Sequence, residues 1–285
     1  MALTKVTYPM AQGAPANILY FGADPTGIAD STSAFNQAVL TGSAYVPSGT
    51  YLLNGTTNGD GYYSGVVLPF KSGTTIPTLS KQVSLVCDKN VILKAGRDDM
   101  IVVRMCGENQ LFSGCLIDGN GHSNVISHAL CPENLNNTTI KVSQQYNTVS
   151  EVSALNCYAY TMCSVGPKVA GSASGSFYHT WINPMSVNTT IGWWMKEGND
   201  PTTLTTRCNV FGGRVIGCNT GVLANAVETL SFFGTNFENV TVGTTPSAIP
   251  CVINMPEFGT GMTAANGNIK FHAGAVELAT SVTDV

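Results

Sequence analysis

The sequence predicts an all-β solenoid, a coil of short strands stacked on one another, and three observations carry that prediction. Only 11% of the 285 residues are charged while 44% are hydrophobic. The chain therefore has core-forming residues but lacks the Glu, Lys and Arg that line the wet side of long helices. Its 30 glycines, with abundant Ser, Thr and Asn, supply turns where charge is missing. From about residue 83 the chain is a succession of short β-rich runs, among them Val83–Val86, Val91–Leu93, Ile101–Val103, Val149–Val152, Val222–Leu223 and Leu230–Phe233. Gly and Asn separate the runs, and no long helical period interrupts them.

Residues 1–17 read as an extended arm, because Pro9, Gly13 and Pro15 break any regular element. Asn17–Phe21 is a short apolar strand, and Asp24-Pro25-Thr26-Gly27 has the residues of a β-turn. Asp30 caps a helix over Ser31–Leu40, with Ala34, Phe35, Ala38 and Val39 on one face. Tyr45–Leu53 is strand, turn and strand around Pro47-Ser48-Gly49. Further on the runs echo one another. Asn109–Ile117 resembles Asn209–Ile216, which resembles Leu230–Phe237 about 22 residues later. A repeat of roughly 20–35 residues cannot bury its own apolar face, so the units must stack, about 4.8 Å apart. The chain divides into an arm (1–17), an opening and capping region (18–82), the solenoid (83–250) and a β-structured or trimer-stabilising end (251–285).

Several functions are excluded by what is missing. A net charge near −4 without a basic run leaves nothing to neutralise phosphates, so no nucleic-acid partner is expected. No stretch of 18 apolar residues predicts membrane insertion, and the first residues lack the basic-then-apolar pattern of a signal peptide. Nine cysteines, an odd number without CxxC or Cys/His metal spacing, read as reduced buried thiols of a protein folded in a reducing cytoplasm. The four histidines have no metal-site spacing, and Asp98-Asp99 reads as a solvated loop. Asp118-Gly119-Asn120-Gly121-His122 reads as a corner turn. No metal or cofactor is expected.

Residues 17–53 carry a family pattern: Phe21-Gly22-Ala23 ending a strand, the Asp24–Gly27 turn, Asp30-Ser31-Thr32 opening a short helix, and Val46-Pro47-Ser48-Gly49-Thr50-Tyr51. This resembles the N-terminal signature of the pectate-lyase-like right-handed parallel β-helix superfamily, especially bacteriophage tailspike and tail-appendage proteins. The preceding Thr4–Tyr8, with Lys5 and Tyr8, resembles the short leader of many tailspikes. The resemblance implies a homotrimer of parallel solenoids that is a virion component. Residues 1–17 would anchor it to phage tail or adaptor proteins, and its surface would contact a host cell-surface polysaccharide.

Enzymatic members of that superfamily cleave polysaccharides, and hydrolases do so with two carboxylates. Glu228 and Glu238 bracket Thr229–Phe237 and form the first-choice pair. Glu197 and Asp200, after Trp193-Trp194, form the second. The polygalacturonase set of paired Asp, Gly-His-Gly and a basic motif is absent. Seven aromatic residues from Tyr158 to Trp194 gather in the least regular part of the solenoid. Of these, Tyr178, Trp181, Trp193 and Trp194 are the candidate glycan-binding residues, because aromatic rings suit surfaces that are apolar on one side. With 17 acidic residues, several used in turns, the chain favours an adhesin. A polysaccharide depolymerase is the alternative, and a purely structural spike the second alternative.

Overall fold

A computed structural model describes residues 14–57, 63–68, 83–120, 128–131, 144–164, 176–196, 205–206, 208–225, 229–240, 251–254, 268–272 and 275–278. The backbone winds into coils whose strands form three long stacks, with a short further stack of Gln144–Gln145, Ser176–Phe177 and Thr205–Thr206. The first sheet runs through Ala16–Asn17, Ser43–Val46, Ser84–Cys87, the starts of Leu111–Asp118 and Thr148–Leu155, Thr180–Ile182, Cys208–Phe211, Thr229–Phe233 and Asn268–His272. The second begins at Thr26–Asp30 and continues through Gly49–Leu53, Val91–Ala95, the ends of the same two long strands, Met185–Val187, Arg214–Ile216, Asn236–Val240 and Ala275–Leu278. Tyr63–Leu68, Met100–Met105, His128–Cys131, Ala159–Ser164, Ile191–Lys196, Thr220–Asn225 and Cys251–Asn254 make the third. Neighbours pair in parallel throughout, except where Thr56–Thr57 meets Tyr63 and Ser64 at the edge of the third sheet. This is a parallel β-helix, as the repeating pattern predicts.

Register steps between coils range from 22 residues (Asn209 to Ser231) to 42 (Gly49 to Val91), a wider spread than the expected repeat. Loops between sheets absorb the difference without disturbing the ladders. The 22-residue echo is real, since Val210–Phe211 pairs with Phe232–Phe233. The Asn109–Ile117 echo is one residue out of step. Phe112 connects through Val149 and Trp181 to Val210, so it is buried while Phe211 points outward. A one-residue slip moves a side chain to the opposite face of a strand. The cysteines with described side chains are free thiols, five of them buried, as expected of small apolar core residues. Burial pushes the Cys157 thiol up to about 12.

The open end of the solenoid is closed by helix α1, Thr32–Val39. Ala34, Phe35, Ala38 and Val39 are buried on its inner face, and Phe35 meets the Tyr51 ring edge-on at 5.4 Å. Asp30 serves the helix start, as its sequence position suggests: its carboxylate accepts from the Thr32 N–H (3.0 Å) and hydroxyl (2.6 Å) and from the Asn54 N–H (3.0 Å). One expectation fails here, because Ile18–Phe21 is a 3-10 turn rather than a strand. Asn17 accepts the Leu19 N–H (2.9 Å), and Gly22, at φ +90°, turns the chain back. The Asp24 turn is organised by its carboxylate, which accepts the N–H groups of Ala29, Thr26 and Ile28 and the Thr26 hydroxyl. These donors, led by Ala29, hold Asp24 down to about 2.

A strand at the end of a stack has unpaired backbone groups. Asn36, on α1, deals with them as a strand would: its Nδ2 donates to the Gly65 carbonyl (2.8 Å) and its Oδ1 accepts from the Val67 N–H (2.9 Å). Asn36→Ala should therefore cost about 1–3 kcal/mol, the penalty for leaving such groups unsatisfied. Urea denaturation would read this as a lower midpoint, and an unchanged midpoint would show that the helix closes the end by apolar contact alone.

Candidate functional site

The chain must turn sharply where one sheet gives way to the next, and it does so with one residue, or two at Gly212-Gly213, in the left-handed region. Between the first and second sheets these residues are Gly114, Glu151, Asn183, Gly212 and Gly234. Asn120, Asn156, Asn188 and Gly217 play the same part beyond the second. Asn and Gly enter this region at least cost. At the corner leading into the first sheet the residues are Asn109 (φ 54°), Tyr146 (φ 56°) and Tyr178 (φ 61°). Two consecutive coils thus put a bulky aromatic where the neighbouring coil has Asn. Such outliers cost of order 1 kcal/mol or more and cluster at functional sites. The two rings stack on each other at 5.0 Å and 8° and are 53% and 36% exposed.

The tyrosines form one edge of the outer face of the first sheet. Strand alternation with Trp181, Val210 and Phe232 inside directs Thr180 and Asn209 outward along the middle, whereas Ser231 in the following coil is buried. The other edge is a ladder of Ile182, Phe211, Phe233 and His272, paired coil to coil. Phe211 stacks on Phe233 at 4.9 Å, and Phe233 on His272 at 4.6 Å. Four residues separate Tyr178 from Ile182, so the two edges lie about 13 Å apart, and the coils from Thr148 to His272 span about 19 Å. Two apolar edges with hydroxyl and amide groups between them can hold a long ligand having apolar faces and many hydroxyls.

Of the four aromatic residues predicted to bind glycan, Tyr178 alone lies on this face. Trp181 and Trp193 are corrections: both are fully buried. Trp181 sits edge-on to Tyr160 at 5.5 Å, and Trp193 stacks on Phe232 at 5.8 Å, because both occupy inward positions of their strands. Trp194 points outward from the third sheet, half-buried against the edge of Tyr158 at 6.3 Å, away from Tyr178. Among the predicted carboxylates, Glu238 is held by Arg214, which donates to both oxygens at 2.6 and 2.8 Å. Its register partner in the next coil is Glu277. Glu228, Glu197 and Asp200 lie outside the described residues, as do Lys5 and Tyr8 of the expected virion anchor. The outward ladder of Ile182, Phe211, Phe233 and His272 and the exposed Tyr146 escaped sequence reasoning. The signal for the ladder was the 22-residue echo that pairs Phe211 with Phe233.

A groove of about 850 Å³ also runs along the corner between the first two sheets, lined by Cys87, Asp88, Lys89, Glu151, Ser153 and Met185 among others. It exists because the Asp88–Asn90 corner is longer than the single residue, Gly114, that turns the next coil. Glu151 is held there, 2.7 Å from the Asn183 Nδ2 that donates to it. Among the described residues no group of three or more His, Cys, Asp or Glu is placed to hold a metal.

The stacked coils define a parallel β-helix protein. No family model matches the sequence, and no curated protein matches it. Among solved structures it is similar to the A-module of mannuronan C-5 epimerase AlgE4 from Azotobacter vinelandii, with 11% identity, 92% of this chain and 96% of that one covered, and a TM-score of 0.41. It is also similar to Pantoea stewartii WceF, described as a glycan biofilm modifying enzyme with a bacteriophage tailspike-like parallel β-helix fold; identity is 15%, coverage 94% and 38%, and TM-score 0.44. A third is ORF18 of Geobacillus virus E2, at 12% identity, 92% and 60% coverage and a TM-score of 0.38. Among the described residues no helix is long and apolar enough to cross a membrane.

The corner beneath the tyrosines is buried and polar. Gln110 donates its N–H to the Asn147 side chain (2.9 Å), and His179 occupies the next coil. Burial pushes His179 down to about 3, so the folded protein holds it neutral. The unfolded chain takes up a proton below about 6.5, so stability is full above that pH and falls as the pH drops toward 3. The slope should approach about 1.4 kcal/mol per pH unit between pH 6 and 4. His179→Asn, which copies Asn147 one coil away, should flatten it; equal slopes in urea titrations would place the acid sensitivity elsewhere.

Proposed function

We propose that the chain is a subunit of a phage tailspike or tail appendage, an adhesin that attaches the virion to a host cell-surface polysaccharide through the outer face of its first sheet. One observation carries this reading: Tyr146 and Tyr178 are held in a costly left-handed conformation that leaves their stacked rings in solvent. Packing does not require this, since Asn109 makes the same turn. The Phe211–Phe233–His272 ladder across the sheet supports it, and so does the tailspike-like signature of residues 17–53.

The enzyme reading rests on a different place. Glu238 and Glu277 pair in register on the second sheet, with Arg214 on Glu238. The two readings part in one experiment using purified polysaccharide from the host envelope. Tyr178→Ala and Phe211→Ala should each weaken binding about tenfold, equivalent to about 1.4 kcal/mol. Tyr146→Asn should also weaken binding while changing stability by less than about 1 kcal/mol, because relief of strain offsets the lost stacking. Unchanged affinity in all three variants would remove the face from consideration. New reducing ends that vanish in Glu238→Gln would favour the depolymerase.

Trimerisation and anchoring complete the proposal. The intact protein should sediment at three times the chain mass. Deleting residues 2–16, with Lys5 and Tyr8, should leave a folded trimer that no longer joins the particle. A monomer in solution, or normal incorporation of the truncated chain, would defeat the respective part.

A further inference from the structure

Two cysteines line the corner groove. Cys87 ends its first-sheet strand one residue past Val86, the register partner of Ser113, and Cys115 lies two residues past Ser113. The residue between, Gly114, is pressed against the neighbouring coil: a Cβ there would lie 2.9 Å from the Cys87 carbonyl oxygen. The Cys87 backbone thus runs directly beside the peptide leading into Cys115. Both cysteines line the groove. Cys87 is half-buried and reachable, whereas Cys115 is 8% exposed.

We propose that Cys87 and Cys115 are a dithiol modification site that closes to a disulfide on meeting a small-molecule disulfide such as oxidised glutathione, stapling the second coil to the third. The steps follow from exposure. The Cys87 thiolate attacks one sulfur of oxidised glutathione, forming a mixed disulfide and releasing one glutathione thiolate. That thiolate takes the Cys115 proton. The Cys115 sulfur then attacks the Cys87 sulfur and expels the second glutathione as thiolate. The protein loses two electrons and two protons, and one oxidised glutathione becomes two reduced molecules. The order is set by the environment, since burial and the neighbouring sulfur push the Cys115 thiol upward and leave it the resolving rather than the attacking group.

The sites of attachment matter to the fold. At this corner the second coil contributes a long turn and the third a single residue, so the ladder is held by three register pairs on each side. A covalent link there ties together the coils whose hydrogen-bonded ladder is interrupted by the groove. Both states suit a protein whose thiols are reduced while it folds and are then carried into an oxidising medium.

The test equilibrates the intact folded protein with graded mixtures of reduced and oxidised glutathione, traps free thiols by alkylation and maps the peptides by mass. The expected product joins the Cys87 and Cys115 peptides, about 2 Da lighter than the sum of the reduced pair. Its formation raises the urea midpoint and is reversed by reduced glutathione. Cys115→Ala should stop at a Cys87–glutathione adduct, about 305 Da heavier. The proposal is overturned if wild-type protein accumulates that adduct, if Cys87 joins a different cysteine, or if both thiols remain fully alkylated in oxidised glutathione. Because these outcomes are read on the wild-type chain, poor folding of the variant leaves the result intact.

Discussion

Everything in this molecule depends on the parallel ladder between successive coils. Strands about 4.8 Å apart place each side chain directly over the equivalent residue of the coil beneath. Inward positions therefore become columns such as Phe112, Val149, Trp181, Val210 and Phe232, which need only be apolar and of compatible size. Corner positions become columns of left-handed residues, which demand Gly or Asn. The glycine content and the spread of coil lengths both follow, because the ladder constrains the strands and leaves the loops between them free. At the open end, where the ladder has no next strand, Asn36 of the capping helix supplies its two hydrogen bonds.

Against so regular a scaffold, departures stand out. The corner rule is broken by Tyr146 and Tyr178 on one side of the first sheet and by Glu151 on the other. At Glu151 the neighbouring coils show how tightly the rule is normally kept. Asn183 donates to the Glu151 carboxylate, and a Cβ on Gly212 in the next coil would fall 2.1 Å from the Asn183 side-chain oxygen. Each corner is fitted to the one below, so an outlier must be tolerated by its neighbours as well as by its own backbone. For the tyrosines that tolerance comes from the buried Gln110–Asn147–His179 layer beneath them. His179 in that layer is held neutral by burial, so the polar core and the exposed rings share one corner.

The fold was legible in the sequence because a solenoid repeats its own signal: Gly and Asn at corners, short apolar runs between them, and the Phe211/Phe233 echo. The helix was legible for a local reason, since its apolar face depends on residues a few positions apart; its N-cap is Ser31 rather than Asp30, whose carboxylate reaches past it to the Thr32 N–H. The candidate face was not legible. Whether an aromatic residue points in or out depends on coil register, which an irregular repeat leaves open, and a shift of one position put Trp181 and Trp193 in the core and Phe211 outside. Trp193 and Trp194 are adjacent, so strand alternation alone guarantees that they cannot share a face. Tyr146 was invisible for a different reason, because a left-handed tyrosine leaves no mark in composition or periodicity.

The scarcity of charge, first a sign of β-structure, has a physical cause in the stacking. On a parallel solenoid an outward residue lies beside its equivalent in the next coil, so a repeated charge becomes a column of like charges. At about 4.8 Å each such contact costs about 0.9 kcal/mol even at the dielectric constant of water, and more near the protein surface. Repulsion of this kind accumulates along the coils, whereas uncharged columns gain from the same geometry: stacked rings attract, and Ser, Thr and Asn can hydrogen-bond. Where a charge does face outward, as at Glu238, Arg214 in the preceding coil places its guanidinium on the carboxylate. An outer face built of aromatic and hydroxyl columns is therefore the surface that this architecture favours, and one suited to a ligand rich in hydroxyls and apolar ring faces. Specific charges, where they occur, mark places where something other than stacking sets the residue.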